Sequence, residues 1–296
     1  MAALPDHGII PALWTPTDAA GRILEAELTE NLAFIRQHPV HGLMVLGSTG
    51  EFVHLDLATR RHLLELVAAA MPGLPAMANI SDVRPAVVAE LGRAARDLGY
   101  AAVSLLPPWF FPLHEDDLAE FFIRSAEAAG LPLFLYNFPE RTGHRLSLDV
   151  IRAIARRVPV AGLKQSGAEF DYHPQLVALG RELGFVVLTG ADCRLAEALA
   201  LGVTGCVGGL ANIVPDWMLG VYDAVQAGDA PRVARATARM AAFGRVVDTV
   251  EFPVNVGAAM LARGLKPGVP KSIVSAATQA RCERLIAASR ALFAVA

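Results

Sequence analysis

Residues 132–164 read PLFLYNFPERTGHRLSLDVIRAIARRVPVAGLK and decide the fold. Two uninterrupted apolar runs, Pro132–Tyr136 and Val160–Lys164, flank a segment at Leu148–Arg156 whose apolar residues recur at helical spacing. Runs that stay apolar, without alternation with polar residues, are typical of parallel strands that are covered on both faces. The stretch therefore predicts one complete strand–helix–strand unit.

The same pattern repeats over the first two thirds of the chain, where eight apolar runs are bounded by Gly, Pro or Asn and followed by helical spacing. The eight runs are Gly8–Leu13, Gly42–Leu46, Pro75–Ala78, Ala101–Leu106, Pro132–Tyr136, Val160–Lys164, Phe185–Thr189 and Thr204–Val207. Eight equivalent parallel units favour closure into an α/β fold of the (β/α)8 TIM-barrel type. The rival architecture, an open doubly wound sheet, lacks its glycine fingerprint here.

Helical patterns continue from Pro215 to the C-terminus, and no linker composition separates them from the barrel. They predict three or four further helices. We therefore assign residues 1–224 to a catalytic (β/α)8 barrel and residues 225–296 to a C-terminal helical extension that packs on it.

Composition excludes several classes of function. The chain has 26 basic and 29 acidic residues and no block of Lys and Arg, so we expect no nucleic-acid partner. Three scattered cysteines without zinc spacing fit a reducing compartment. The uncharged run at 198–215 is interrupted by glycines, and no export signal is recognisable at the N-terminus, so we expect a cytoplasmic protein that does not enter a membrane.

Barrel enzymes place their chemistry at the C-terminal ends of the strands. The second run ends in Gly47-Ser48-Thr49-Gly50-Glu51, where two hydroxyls and backbone N–H groups suit a carboxylate or phosphate oxygen, although an ordinary tight turn explains this pentapeptide equally well. The fifth run ends in Tyr136, whose hydroxyl can move protons or can simply belong to a core residue.

The sixth run ends in Lys164 after small and apolar residues. Desolvation there favours a neutral amine, which attacks ketones to form an imine, whereas an isolated lysine at such a position more often reaches out to solvent. The ends of strands two, five and six converge on one rim of a closed barrel. An imine-forming lysine, a proton-moving tyrosine and a carboxylate-binding turn together predict a site for a 2-oxo acid.

Three motifs at these positions, Gly47–Glu51, Tyr136–Pro139 and Gly162–Lys164, resemble the N-acetylneuraminate lyase and dihydrodipicolinate synthase superfamily of class I pyruvate-dependent aldolases. The resemblance extends over essentially the whole chain and keeps the family's order and spacing. It implies a (β/α)8 barrel with a C-terminal helical extension, assembly as a homotetramer built from two dimers, and no metal or organic cofactor.

Carried over by position, the resemblance makes Lys164 the Schiff-base lysine and Tyr136 the proton relay. Ser48 and Thr49 would hold the carboxylate of pyruvate. Two further positions would line the pyruvate end of the pocket: Gly190 and Val207.

The resemblance divides below the superfamily. Arg141 matches the arginine with which dihydrodipicolinate synthases hold the acceptor's carboxylate. Those synthases also place a tyrosine within the stretch that here reads Leu105–Pro112, and it reaches across a dimer. This stretch has no tyrosine, and Trp109 and Phe110 cannot replace the hydroxyl of a tyrosine, although Trp109 is expected to contact substrate. Ser48 is the lyase-type residue where synthases usually carry threonine.

We therefore favour a lyase or aldolase that joins or cleaves pyruvate and an aldehyde, on a substrate such as a 2-keto-3-deoxy sugar acid. Arg141 keeps open a 4-hydroxy-tetrahydrodipicolinate synthase that condenses pyruvate with aspartate semialdehyde. A 2-oxo acid dehydratase or deaminase could use the same imine. A catalytically silent binding barrel is a further alternative, opposed by the presence of both Lys164 and Tyr136.

Overall fold

The computed structural model describes residues 4–294, and within them eight parallel strands form one sheet. The strands are β1 (Gly8–Pro11), β2 (Leu43–Val45), β3 (Ala76–Asn79), β4 (Ala102–Leu105), β5 (Leu133–Asn137), β6 (Val160–Gln165), β7 (Val186–Thr189) and β8 (Gly205–Gly208). Each of the eight predicted runs overlaps one of them, with ends that differ by at most two residues. The predicted strand count and direction are confirmed.

Helices alternate with these strands and continue beyond the last one. Their bounds are α1 (Glu25–Arg36), α2 (Leu57–Ala70), α3 (Pro85–Asp97), α4 (Glu115–Ala129), α5 (Pro139–Thr142), α6 (Leu148–Ala155), α7 (His173–Leu183), α8 (Leu195–Ala200), α9 (Pro215–Gln226), α10 (Ala230–Val247), α11 (Val254–Ala262) and α12 (Ala276–Ala294).

The sheet runs in the order β1-β8-β7-β6-β5-β4-β3-β2 and curls until its two ends meet. At the seam Leu13 N–H donates to the Met44 carbonyl over 2.8 Å, and a parallel bridge joins Ala12 to Met44. The result is the nearly closed (β/α)8 barrel that the sequence predicts. Its strands are buried on both faces, which explains why they read as continuous apolar runs.

A register shift between β5 and β6 sets the position of the candidate catalytic pair. The shift falls between Leu133 and Phe134, and beyond it Tyr136 lies directly beside Lys164 on the neighbouring strand. Paired residues of parallel strands share a face of the sheet, so the two side chains point the same way. Gly162 permits this pairing, because a β-carbon at that position would overlap the Phe134 ring.

The start of α2 agrees with the sequence prediction, whereas α8 begins later than predicted. Asp56 directly precedes a segment with helical spacing, which predicts an N-cap, and it caps α2 by accepting a hydrogen bond of 2.7 Å from Thr59 N–H. The apolar spacing of Asp192–Leu201 predicts a helix over that segment, but the segment begins with a short 3-10 turn and α8 starts at Leu195. In this turn the Asp192 carboxylate accepts a hydrogen bond of 2.9 Å from Leu210 N–H, which follows the neighbouring strand β8.

Four helices follow β8, in agreement with the prediction. Helix α9 packs against β1 and α8, and α10 to α12 follow it as the extension. An aromatic cluster joins α9, α10 and α12 through Trp217, Phe243 and Phe293, whose ring centroids lie 5.5–5.7 Å apart. The division of the chain after residue 224 stays a prediction, and it falls within the last turn of α9. Between residues 4 and 294, no helix has the length and apolarity needed to span a membrane.

Candidate active site

Lys164 lies inside the mouth of the barrel and not in bulk solvent. Its side chain is 5% exposed, its Nζ is 4.2 Å from the centroid of the Tyr136 ring, and the Met44 sulfur is 4.0 Å away on the other side. No carboxylate of the described residues comes within ion-pair distance of Nζ. The amine is therefore enclosed and uncommitted, as an attacking group must be.

The chain contains only three lysines, and all of them are among the described residues. Lys266 is half exposed at the surface beside Glu30. Lys271 is buried in an ion pair with Glu51. Lys164 alone lines the cavity at the C-terminal ends of the strands, so the location of any imine can be assigned without ambiguity.

Tyr136 connects the lysine with the turn that follows β2. Its ring is 2% exposed and stacks on Phe138, and its hydroxyl lies 3.4 Å from Ser48 Oγ. The two hydroxyls can exchange a proton in either direction. The Tyr136 side chain thus contacts both the Ser48 hydroxyl and, through its ring, the Lys164 amine.

The turn at 47–51 is tightly wound. Gly50 N–H donates to the Gly47 carbonyl over 3.0 Å, and Glu51 N–H donates to the Ser48 carbonyl over 3.1 Å. A β-carbon on Gly50 would approach the Leu13 carbonyl oxygen to 2.8 Å, so only glycine fits there. The turn holds Ser48 and Thr49 at the rim, where their hydroxyls can bind a carboxylate.

Most of the residues singled out from the sequence meet in one cavity of about 410 Å³. Six of them line it: Thr49, Tyr136, Arg141, Lys164, Gly190 and Val207. Ser48 and Trp109 instead line an adjoining cavity of about 230 Å³, which shares Arg141 and Phe252 with the first. Trp109 packs edge-on against Phe52, with 5.8 Å between the ring centroids. Trp109 thus lies toward the far end of the site from Lys164.

Gly190 leaves room for the lysine. A β-carbon at this position would lie 3.2 Å from Lys164 Cε and would overlap Ser166 Oγ. The lining role predicted for Gly190 therefore has a steric reason, because the side chains of Lys164 and Ser166 occupy the space above its backbone.

Asp192 is a site residue that the sequence reasoning did not single out. Its carboxylate lines the cavity, where it accepts hydrogen bonds from Leu210 N–H and from the Cys206 thiol, the latter over 3.3 Å. Burial raises the pKa of the Asp192 carboxyl, while these hydrogen bonds and the charge of Lys164 act in the opposite direction. The only sequence signal was its position at the end of the seventh run.

The C-terminal helices form a further wall of the cavity, which no sequence motif predicts. Asn255 and Val256 in the first turn of α11 line the cavity, together with Phe252 just before this helix and Val247 at the end of α10. Their contribution depends on how the extension docks, which strand patterns do not show. The extension therefore shapes the site and does not merely cover the barrel.

Arg141 sits in the short helix α5 at the outer part of the cavity. Its guanidinium lies over the rings of Phe138 and Phe252, at 5.7 and 5.9 Å from their centroids. In the part of the chain that the structure describes, no carboxylate pairs with it. Within that same part, His, Cys, Asp and Glu side chains form no group of three or more suited to a metal ion.

Comparison with known proteins agrees with this geometry. Residues 5–288 match the Dihydrodipicolinate synthetase family. A 4-hydroxy-tetrahydrodipicolinate synthase from Methanococcoides burtonii is 29% identical over 262 residues, which cover 88% of this chain and 90% of that protein. The dihydrodipicolinate synthase structure from Bacteroides thetaiotaomicron is 27% identical, with a TM-score of 0.87 and 98% and 99% coverage of the two chains.

A sialic acid aldolase from Ruminococcus gnavus shares the fold with a TM-score of 0.88, at 20% identity and with 98% and 99% coverage of the two chains. The expected resemblance to the N-acetylneuraminate lyase and dihydrodipicolinate synthase superfamily is confirmed. With its barrel, its enclosed lysine and a match over nearly its whole length, this chain belongs to the dihydrodipicolinate synthetase family and is a lyase.

Proposed function

We propose that this protein is a Schiff-base-forming aldolase that makes or breaks a carbon–carbon bond between pyruvate and an aldehyde, acting on a 2-keto-3-deoxy sugar acid. The observation that carries the proposal is the enclosed Lys164 amine 4.2 Å from the Tyr136 ring, whose hydroxyl lies 3.4 Å from Ser48 Oγ. An amine, a proton relay and a carboxylate-binding turn are what imine chemistry on a 2-oxo acid needs.

In the proposed reaction Lys164 Nζ attacks the ketone carbon of the 2-oxo acid. Tyr136 and Ser48 transfer the proton that lets the oxygen leave as water, so that a protonated imine remains. Breaking the C3–C4 bond then sends its electron pair toward the imine nitrogen and gives an enamine, while the C4 hydroxyl gives up its proton as the aldehyde forms. Protonation of the enamine and hydrolysis release pyruvate and the free lysine.

The imine itself accepts the electron pair, so the proposed reaction uses no metal or organic cofactor. Its partners are the 2-oxo acid and the aldehyde, with neither nucleic acid nor a membrane. We further propose that the protein acts in the cytoplasm as a homotetramer. Phe110 and Phe111, exposed side by side on the loop after β4, support self-association, because such apolar surface is usually covered.

A second candidate is 4-hydroxy-tetrahydrodipicolinate synthase. The unpaired guanidinium of Arg141 at the outer cavity favours it, since aspartate semialdehyde carries a carboxylate that could bind there. Relatives that carry this name support it as well. The residues after β4 oppose it, because the stretch Leu105–Pro112 contains no tyrosine and neither Trp109 nor Phe110 can supply the missing hydroxyl. Specificity constants for pyruvate with aspartate semialdehyde, glyceraldehyde and N-acetylmannosamine decide between the two.

Arg141→Ala tests the role of the guanidinium. If Arg141 binds the distal carboxylate of an acceptor, the variant loses about 10- to 100-fold in kcat/KM for aspartate semialdehyde and keeps its kcat/KM for glyceraldehyde, because a hydrogen bond to a charged group contributes about 1.5–3 kcal/mol. Steady-state kinetics with both aldehydes measures this. An equal loss with both would show that Arg141 maintains the cavity instead of reading a carboxylate.

Tyr136→Phe separates proton transfer from packing. The ring and its contacts with Phe138 and Lys164 remain, so we expect thermal stability to change little. Imine formation with pyruvate should slow about 10²- to 10³-fold, because a positioned acid–base group contributes in that range. Rapid quenching with borohydride followed by mass spectrometry gives the rate. An unchanged rate would remove Tyr136 from the relay.

A further inference from the structure

Asn255 is a buried residue that lines the cavity, and its side-chain oxygen has no protein partner among the described residues. It is the second residue of α11 and is 6% exposed, and it lines the same cavity as Lys164. Its backbone N–H donates to the Glu251 carbonyl over 3.1 Å, so the main chain is satisfied by the helix. Its side-chain Oδ1 is buried and has no hydrogen-bond partner among the described residues.

A buried amide oxygen without a partner opposes folding, because it has lost its hydrogen bonds to water and gained none. Apolar residues of similar size, such as leucine, would fill this position without that penalty. The neighbouring positions Val254 and Val256 on the same helix turn are indeed apolar. A ligand that enters the cavity supplies the partner that the protein itself does not.

The start of α11 lies against the turn that carries the hydroxyl groups. A β-carbon built on Gly209 would lie 3.1 Å from Thr49 Oγ1 and 3.8 Å from Val256 Cγ2, so these two side chains border the same small space. Asn255 is therefore part of the wall that the extension adds to the cavity, whereas Lys164 belongs to the strands of the barrel. Phe252, three residues before Asn255 on the same segment, also lines the adjoining outer cavity with Arg141, so a substrate joined to Lys164 and extending outward would pass this wall with its aldehyde half.

We propose that Asn255 determines specificity by hydrogen bonding to a hydroxyl group of the aldehyde half of the substrate, and that the acceptor is accordingly a hydroxyaldehyde. The proposal rests on the aldolase function proposed above. A hydroxyl both donates and accepts, and so does an amide. The Asp192 carboxylate, which lines the same cavity, can accept from a hydroxyl but would repel a carboxylate. The lining around Asn255 is thus suited to a neutral polyol group more than to an anion.

Asn255→Leu tests the proposal with pyruvate and two aldehydes, glyceraldehyde and propionaldehyde, which differ in their hydroxyl groups. We expect wild-type protein to prefer glyceraldehyde. The variant should lose about tenfold in kcat/KM for glyceraldehyde, the size of one neutral hydrogen bond, and should keep its kcat/KM for propionaldehyde. Asn255→Asp, which retains an acceptor but no donor, should fall between wild type and Asn255→Leu with glyceraldehyde.

Thr237→Val is the matched control. Thr237 on α10 also has a buried hydroxyl without a described partner, but it does not line the cavity, so its loss should leave both aldehydes unaffected. Thermal unfolding confirms that each variant is folded, and a leucine at 255 should not lower the midpoint.

Borohydride trapping tests the proposed aldolase function separately from the proposed role of Asn255. If wild-type protein forms no adduct with pyruvate, the proposed aldolase function fails. If the adduct forms but wild type does not prefer glyceraldehyde, or Asn255→Leu loses equally with both aldehydes or with neither, the role of Asn255 is overturned while the aldolase function stands.

Discussion

Lys164→Ala should lose both the trapped pyruvate adduct and turnover, with kcat lowered by about 10⁴-fold or more. The expectation follows from the position of the amine, which is enclosed against Tyr136 and Met44 and makes no ion pair. No other side chain at the cavity can form an imine with a ketone. Intact-mass measurement after borohydride reduction and a steady-state assay with pyruvate and an aldehyde give the two readouts.

Two variants control for this result. Lys266→Ala removes a half-exposed surface amine and should leave adduct and turnover intact. Lys164→Arg keeps a positively charged side chain of similar length, but a guanidinium does not form the imine. This variant should therefore be as inactive as Lys164→Ala. Substantial turnover in Lys164→Arg would mean that the lysine acts through its charge and not as a nucleophile.

Lys271→Met should lower the free energy of unfolding by about 3–5 kcal/mol, the range for breaking one partner of a buried ion pair. Lys271 Nζ lies 3.1 Å from Glu51 Oε2 and donates to the Thr15 carbonyl over 2.7 Å, and both charged side chains are at most 3% exposed. Burial lowers the pKa of Lys271, while the charge of Glu51 raises it. Without the amine, the Glu51 carboxylate stays buried, and its Oε1 already lacks a described partner.

Chemical denaturation of three variants measures this effect. Arg61→Met removes an exposed ion pair with Glu90 and should change stability by less than about 1 kcal/mol. Combining Glu51→Gln with Lys271→Met removes both charges and should recover part of the loss. Lys271 lies in the segment before α12, and Glu51 lies in the turn at 47–51, so their ion pair joins these two parts of the chain. If Lys271→Met is no more destabilising than Arg61→Met, this ion pair does not stabilise that connection.

Repeating apolar runs are enough to predict the barrel, because a strand that is covered on both faces consists of consecutive apolar residues. The strand assignment also predicts that Tyr136 and Lys164 lie close together, since the C-terminal ends of parallel strands lie at the same rim of a barrel. Their exact pairing was not predictable, because it depends on the register shift between β5 and β6. The assignments of catalytic roles stay predictions until the variants are measured.

The sequence did not reveal the groups whose role depends on distant packing. Asp192 was read as the start of a helix, although its carboxylate instead bonds to Leu210 N–H beyond β8. Asn255 reaches the cavity only because the extension docks over the strand ends. Lys271 and Glu51 are far apart in sequence, and nothing in their local patterns indicates that they form a buried pair.

The most direct test of the account is borohydride reduction of the wild-type protein in the presence of pyruvate, followed by intact-mass and peptide mass spectrometry. We predict one reduced pyruvyl unit per chain, located on the peptide that contains Lys164. With only three lysines in the chain, each alternative position can be checked individually. An unchanged mass, or a modification on Lys266 or Lys271, would contradict the account.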